Sequence, residues 1–275
     1  MKATFEKVKK VELEILKEFV GVCDKLNLRW YAGYGTVLGA IRHGGFIPWD
    51  DDIDVLMPRK DYEIFCEKAQ ELLPEHYFLQ TLKTEENYYQ PFAKVRRSNT
   101  TFWEEGTAND QINHGIYIDV FPLDGYPTNC IQETMFKIKR IVYDNFLYQE
   151  GNIKELQGYR KVLAFVYRIL NGKLDKKEAA LKKEKLVSKI AYDDGILVSC
   201  MVEDTPKAEA VTKDVYGIGK LVEFEDTMIV VPEKCEIYLE RLYGDYMQFP
   251  PEEKRVPIHT CIIIDAEKSY LEYHV

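Results

Sequence analysis

From Phe5 to Lys25 the apolar residues Val8, Val11, Ile15, Phe19 and Val22 return at steps of three or four, which predicts an amphipathic helix that braces a core. Leu28–Ala32 reads as a strand, and Thr36–His43 as a short helix stopped by Gly44-Gly45. Ile53, Val55 and Met57 then fall on one side of a strand, facing a core, and Pro58 ends it. A second amphipathic helix is expected over Lys60–Leu73, through Tyr62, Phe65, Cys66 and Ala69. Short β-prone runs follow at Tyr77–Thr81, Tyr88–Arg96 and Thr100–Trp103. With the apolar strand around Asp119 they predict a small mixed sheet, while Asp124-Gly125 reads as a turn.

After Tyr126-Pro127 the periodicity becomes helical, over Ile131–Gln149, Ile153–Leu170 and Lys176–Ala191, with breaks at Gly151-Asn152 and Asn171-Gly172. Leu221–Phe224 returns to strand, Glu233–Tyr243 to helix, and Pro250-Pro251 holds an extended approach to Lys254-Arg255. The fold class expected is α/β (α+β). Residues 1–127 would form the catalytic core, 128–215 a mainly helical acceptor-side region, and 216–275 a segment packing back on the core.

Composition narrows the function classes. A chain of 275 residues has ample material for a core, and its apolar and charged fractions are those of a globular protein. A net charge of −9 argues against general nucleic-acid binding, which leaves a basic footprint. Six scattered cysteines show no C-x-x-C spacing, so no zinc ribbon or dithiol motif is visible and a reduced, cytoplasmic protein is expected. Residues 1–10 lack a signal-peptide core, and no run approaches the roughly 18 apolar residues of a spanning helix. The Lys-rich Lys176–Lys189 stretch suits either a solvated face or peripheral contact with an acidic polymer or a membrane's inner surface.

The candidate chemistry centres on Gly33–Met57. Asp52 and Asp54 are separated by one residue and share one side of an extended strand. Two like charges so placed repel, and a hard divalent ion, Mg²⁺ with Mn²⁺ as the alternative, would answer that repulsion; a solvated acidic turn is the plainer reading. Asp51 and Asp50 are auxiliary candidates for the metal shell. Gly35 and Thr36, at a helix start, offer backbone N–H groups to a phosphate. Asp119, an acid within an apolar strand, supplies a third carboxylate that burial would penalise without a partner. Lys94 and Arg96 fall on one strand face as a phosphate-binding pair, and Arg42, Lys254 and Arg255 are further basic candidates. Trp49 would wall the pocket or serve as a packing anchor, and His259 reads as structural or exposed.

A Gly-Thr turn followed by an Asp-hydrophobic-Asp strand is similar to the DNA polymerase beta-like nucleotidyltransferase pattern. The longer run GTVLGAIRHGGFIPWDDDIDVLMPRKDYEIF, with Lys94-Val95-Arg96, HGIYIDVFPLDG and YLERLYGDYMQFPPEEKR, resembles the LicD family, which includes bacterial phosphocholine transferases and is related to the fukutin group. That resemblance implies metal-dependent transfer of a phospho-alcohol from a CDP-linked donor to a hydroxyl of a glycan or lipid-linked saccharide, with CMP leaving. Nucleotidyl transfer from a triphosphate, and a non-catalytic ion-holding glycan module, are the other readings of the same residues.

Overall fold

The computed structural model describes residues 2–148, 158–203 and 205–273. In chain order the first part holds α1 (Lys2–Leu26), β1 (Tyr31–Ala32), α2 (Tyr34–His43), β2 (Asp54–Pro58), α3 (Arg59–Leu72), β3 (Tyr77–Gln80), β4 (Ala93–Arg97), β5 (Thr101–Glu104) and β6 (Ile116–Tyr126). Three helices follow, α4 (Cys130–Tyr148), α5 (Tyr159–Leu170) and α6 (Lys176–Val187). The chain closes with β7 (Leu197–Cys200), α7 (Pro206–Glu209), β8 (Val211–Thr212), α8 (Lys213–Tyr216), β9 (Lys220–Phe224), β10 (Thr227–Val231), α9 (Cys235–Tyr243) and β11 (Cys261–Asp265). Helices on a mixed sheet make this an α/β protein, as the hydrophobic pattern predicts.

The stripe of α1 buries Val8, Ile15, Leu16 and Phe19 completely, and Phe19 meets Trp30 and Phe65 edge-on and tilted. Each such side chain contributes roughly 1.5–3 kcal/mol of burial. The helix ends where Asn27 adopts φ 52°, a left-handed conformation that asparagine tolerates and that leaves the Leu28 N–H donating to the Cys23 carbonyl. The strand expected over Leu28–Ala32 is consequently confined to Tyr31–Ala32.

The main sheet runs β1-β2-β6-β4-β3, with β7 joined to β6 and β8 to β7. β2 and β6 are parallel, whereas β4 on β6, β3 on β4 and β7 on β6 are antiparallel. Every residue of β6 is buried, so this strand is the spine of the molecule. Alternation sends Ile118, Val120 and Asp124 to the face covered by α1 and α3, and Tyr117, Asp119 and Phe121 to the opposite face.

This parity corrects the turn expected at Asp124-Gly125: the strand continues through both residues. Asp124 is fully buried and pairs in a forked contact with Arg59, at 2.8 Å and 2.5 Å. Gly125 has no room for a side chain, since a Cβ there would stand 2.4 Å from Ile190 Cγ2. The Gly125 N–H donates to the Ile190 carbonyl, and α6 accordingly ends at Val187 instead of Ala191.

Within the span expected to be mainly helical, β7 and β8 extend the central sheet. The expected helix end at Gln149, the break at Gly151-Asn152 and the helix start at Ile153 lie outside the described residues. The Lys-rich α6 buries Ala179, Ala180, Val187 and Lys183, and Lys183 pairs with Asp144 at 2.8 Å. The run Tyr88–Arg96 is strand from Ala93 onward. β10 and β11 have no counterpart in the sequence reading. The two-residue β9–β10 turn is made by Glu225 at φ 54°, without the Asn-Gly or Gly that signals such a turn. β11 pairs with β5, bringing the C-terminal segment onto the core. All six cysteines are free. Among the described residues no helix is long and apolar enough to cross a membrane.

Candidate active site

Sheet register decides which side chains meet. The parallel pairing sets Asp54 opposite Asp119, the antiparallel pairing of β4 sets Lys94 opposite Asp119, and β3 sets Gln80 opposite Lys94. Directly opposed residues share a face, so these four form one row across adjacent strands. The next row on that face holds Tyr117 opposite Arg96. Above the rows lies a cleft of about 670 Å³, lined among others by Asp52, Asp54, Asp119, Lys94, Arg96, Tyr34, Phe92, Phe121, Glu104 and His259.

The cleft concentrates acid. Burial pushes the Asp54 carboxyl well above the usual carboxylate range, and the charges of Asp52, Asp119 and Asp50 push it further. Asp52 rises to about 6, first through burial and then through Asp119 and Asp51, against the opposing pull of His259 and Lys94. Asp50 rises to about 7 by burial and by Asp52 and Asp51. Asp119 is also raised by burial, although Lys94 Nζ stands 2.7 Å from its Oδ1. That contact is one of charge, because Oδ1 makes no aligned hydrogen bond. Burial would also raise Glu104, yet Lys94 and Arg96 hold it below the usual range.

An all-oxygen set of mutually repelling, desolvated carboxylates suits a hard divalent ion. Among the described residues, however, the set of three potential ligands whose donor atoms all lie within 4.8 Å of one another is Asp50, Asp51 and Asp52. Asp51 is already committed to the C-terminal segment, accepting from the backbone N–H groups of Ile258 and His259 and lying 3.2 Å from His259 Nδ1. Asp52, Asp54 and Asp119 all line the cleft, and they share it without being drawn to common ligand distance. Asp51's oxygens are taken by that segment, whereas Asp52, Asp54 and Asp119 line the cleft.

Gly35 and Thr36 sit behind the acids. The Thr36 hydroxyl accepts from the Asp54 N–H at 2.9 Å and so fixes the start of β2. A Cβ on Gly35 would stand 2.4 Å from Asp50 Oδ2, so this glycine lets the carboxylate approach the first turn of α2, where the helix dipole favours negative charge. That helix begins at Tyr34, two residues before Thr36, and Tyr34 itself holds φ 41°. Its N–H donates to the Tyr238 hydroxyl and its own hydroxyl donates to Glu209 at 2.9 Å.

The basic candidates separate. Lys94 and Arg96 reach the cleft, where Tyr117 lies beneath both, and Arg96 is anchored by donating to Gln80 at 2.6 Å and to the Gly115 carbonyl at 2.7 Å. Arg42 and Arg255 instead stack on Phe249, Arg255 also on Trp49, and Arg42 donates to the Tyr246 carbonyl. Lys254 is exposed, and none of Arg42, Trp49, Lys254 or Arg255 lines the cleft.

His259 is a weak candidate in the sequence, read there as structural or exposed, and Glu12 escapes the sequence reading. His259 lines the cleft, and although burial disfavours its charge, the Asp51 hydrogen bond and the charges of Asp52 and Asp51 raise it to about 9. No local spacing signals this, since Asp51 and His259 are 208 residues apart. Glu12 is 2% exposed on α1, and burial together with Asp52, Asp51 and Asp50 keeps its carboxyl well above the usual range. A signal existed there: position 12 falls in the apolar stripe, four residues from both Val8 and Leu16.

Residues 27–157 match the family model described as LicD/FKTN/FKRP, nucleotidyltransferase domain. This stretch is a LicD-family domain. It contains the acids Asp52, Asp54 and Asp119 and the bases Lys94 and Arg96, whereas His259 reaches the cleft from outside it. Beyond the LicD-family domain, the chain is 28% identical over 265 residues to lipopolysaccharide cholinephosphotransferase LicD of Haemophilus influenzae, covering 94% of this chain and 97% of that protein. A shorter stretch of 42 residues is 43% identical to ribitol 5-phosphate transferase FKRP of Mus musculus and of Homo sapiens, 15% of this chain and 8% of theirs.

Proposed function

We propose that this protein transfers a phospho-alcohol of the phosphocholine type from a CDP-linked donor to a hydroxyl of a glycan or lipopolysaccharide precursor. The observation that carries the reading is the nearly end-to-end likeness to a lipopolysaccharide cholinephosphotransferase, with Asp52, Asp54 and Asp119 all inside the LicD-family domain. In the reaction the acceptor oxygen bonds to the phosphorus bearing the alcohol, the bond from that phosphorus to the CMP oxygen breaks, and CMP departs. Mg²⁺, or Mn²⁺ in its place, would neutralise phosphate charge and stabilise the charge that grows in the transition state.

Asp52 and Asp54 are the residues proposed to hold that ion. Asp119, whose Oδ1 faces Lys94 Nζ at 2.7 Å, completes the set or accepts the proton of the acceptor hydroxyl. Lys94 offers an ammonium group to a donor phosphate from the neighbouring strand position. Arg96, held rigidly by Gln80 and Gly115, keeps Tyr117 and Lys94 in place. Phe121, Phe92 and Tyr34 form an aromatic wall, and ring faces attract an ammonium-bearing alcohol.

Purified protein incubated with Mg²⁺, acceptor glycan and CDP-choline, CDP-ribitol or CDP-ethanolamine tests the reading. CMP release with labelled alcohol on the glycan supports it. Pyrophosphate release from a nucleoside triphosphate would replace it with nucleotidyl transfer, which the family description favours as the second reading. Lys94→Ala is expected to raise the KM for the CDP donor about tenfold or more, by removing a charge-assisted contact of roughly 1.5–3 kcal/mol. Steady-state kinetics with the donor varied would show it, and an unchanged KM would remove Lys94 from donor binding.

A further inference from the structure

Helix α5 carries its apolar residues on the outside. Val162, Phe165, Ile169 and Leu170 are 62%, 60%, 61% and 77% exposed, and Tyr159 is 64% exposed. The side that meets the protein is narrow: Ala164 and Tyr167 rest on Ile138, Val142 and Phe146, and the Tyr167 hydroxyl bonds that of Tyr143 at 2.5 Å. On a helix of 3.6 residues per turn, Val162, Phe165, Val166, Ile169 and Leu170 fall on the arc opposite Ala164 and Tyr167. The stripe therefore points away from the body.

The charge of this helix opposes that of the chain. Arg160, Lys161 and Arg168 are exposed on α5, which has no acid at all, in a protein of net charge −9. An exposed apolar stripe on a helix whose only charges are cations is the chemistry of a helix lying in the interface of an anionic bilayer, with its rings and branched chains among the acyl tails and its long basic side chains reaching to the headgroups. A second copy of the chain seated face to face would bring two sets of three cations together, which disfavours it. The Lys-rich α6, by contrast, turns part of its length into the core.

We propose that α5 is a membrane-surface anchor that docks the protein on anionic lipid through Val162, Phe165, Ile169 and Leu170, with Arg160 and Lys161 at the headgroups. This stands independently of the transfer reaction, because none of these residues lines the cleft. The test is co-sedimentation of the full chain with vesicles of phosphatidylcholine containing phosphatidylglycerol, against phosphatidylcholine alone.

Binding is expected to the anionic vesicles, falling with added salt. The F165E/I169E variant should bind them at least tenfold more weakly, since each buried carboxylate opposes insertion and each lost apolar side chain removes partitioning. Both positions are exposed, so circular dichroism and melting should match the parent. If that variant folds poorly, R160E/K161E serves instead, with about a tenfold loss for anionic vesicles and none for neutral ones. The proposal fails if the parent does not sediment with anionic vesicles, or if F165E/I169E binds them as the parent does. It fails equally if sedimentation velocity without lipid shows a dimer that the same substitutions dissolve.

Discussion

Asp54→Asn is expected to lower turnover by roughly 10³ under saturating Mg²⁺, the scale seen when a group stabilising transition-state charge is removed. The same variant should fold at least as well as the parent in metal-free buffer. The sign follows from the carboxyl's upward displacement: an acid whose folded-state pKa lies above its unfolded value loses stability as pH rises between the two. Ionising Asp54 beside Asp52, Asp119 and Asp50 in a desolvated cleft is costly, and a neutral amide of the same shape never meets that cost. The Asp54 N–H keeps its bond to Thr36 in either case. A variant that is stable and inactive places Asp54 in the chemistry, whereas one with near-parental turnover would remove it from the proposed metal set. Calorimetric titration of Mg²⁺ into both proteins gives a readout independent of turnover, with weakened binding expected for the variant.

The second large effect lies on the other face of the sheet. Arg59→Met leaves Asp124, fully buried, without the guanidinium that faces it, and should cost about 3–5 kcal/mol of stability. Asp124→Leu alone strands Arg59, whose side chain is 7% exposed, and should cost a similar amount. The double variant Arg59→Met/Asp124→Leu is expected to recover most of the loss, because two apolar groups of similar volume need no counter-charge. Urea denaturation monitored by circular dichroism measures all three. Single variants within about 1 kcal/mol of the parent, the range of an exposed pair, would mean that the contact carries little.

Asp124 shows how far a sequence can be read. Followed by glycine, it has the look of a turn, yet it lies five residues from Asp119 on one strand, and that odd spacing sends the two acids to opposite faces. Without the strand's length the parity cannot be applied, and the length depends on the 190–195 segment closing over Gly125. The reading of Asp52 and Asp54 needed less, since Asp54 opens a strand with Val55 and Met57 facing inward. Asp52 reaches the cleft from the segment before that strand. The sequence correctly put Lys94 and Arg96 on one face. It could not separate them from Arg42 and Arg255, because all four are basic residues in amphipathic surroundings and only packing sends the latter pair to Phe249.

By itself the sequence determined the elements with a clear apolar repeat, at three to four positions in α1 and α3 and at two in β2, because that repeat follows from local backbone geometry. It also carried the LicD-family match of residues 27–157 and the acidic and basic residues from which a site could be drawn. Only the tertiary structure decided that Asp54, Asp119 and Lys94 stand in one row, that His259 returns to Asp51, and that α5 turns its apolar face outward. Those relations depend on strand register and on contacts between segments distant in the chain, and short-range periodicity carries no record of either.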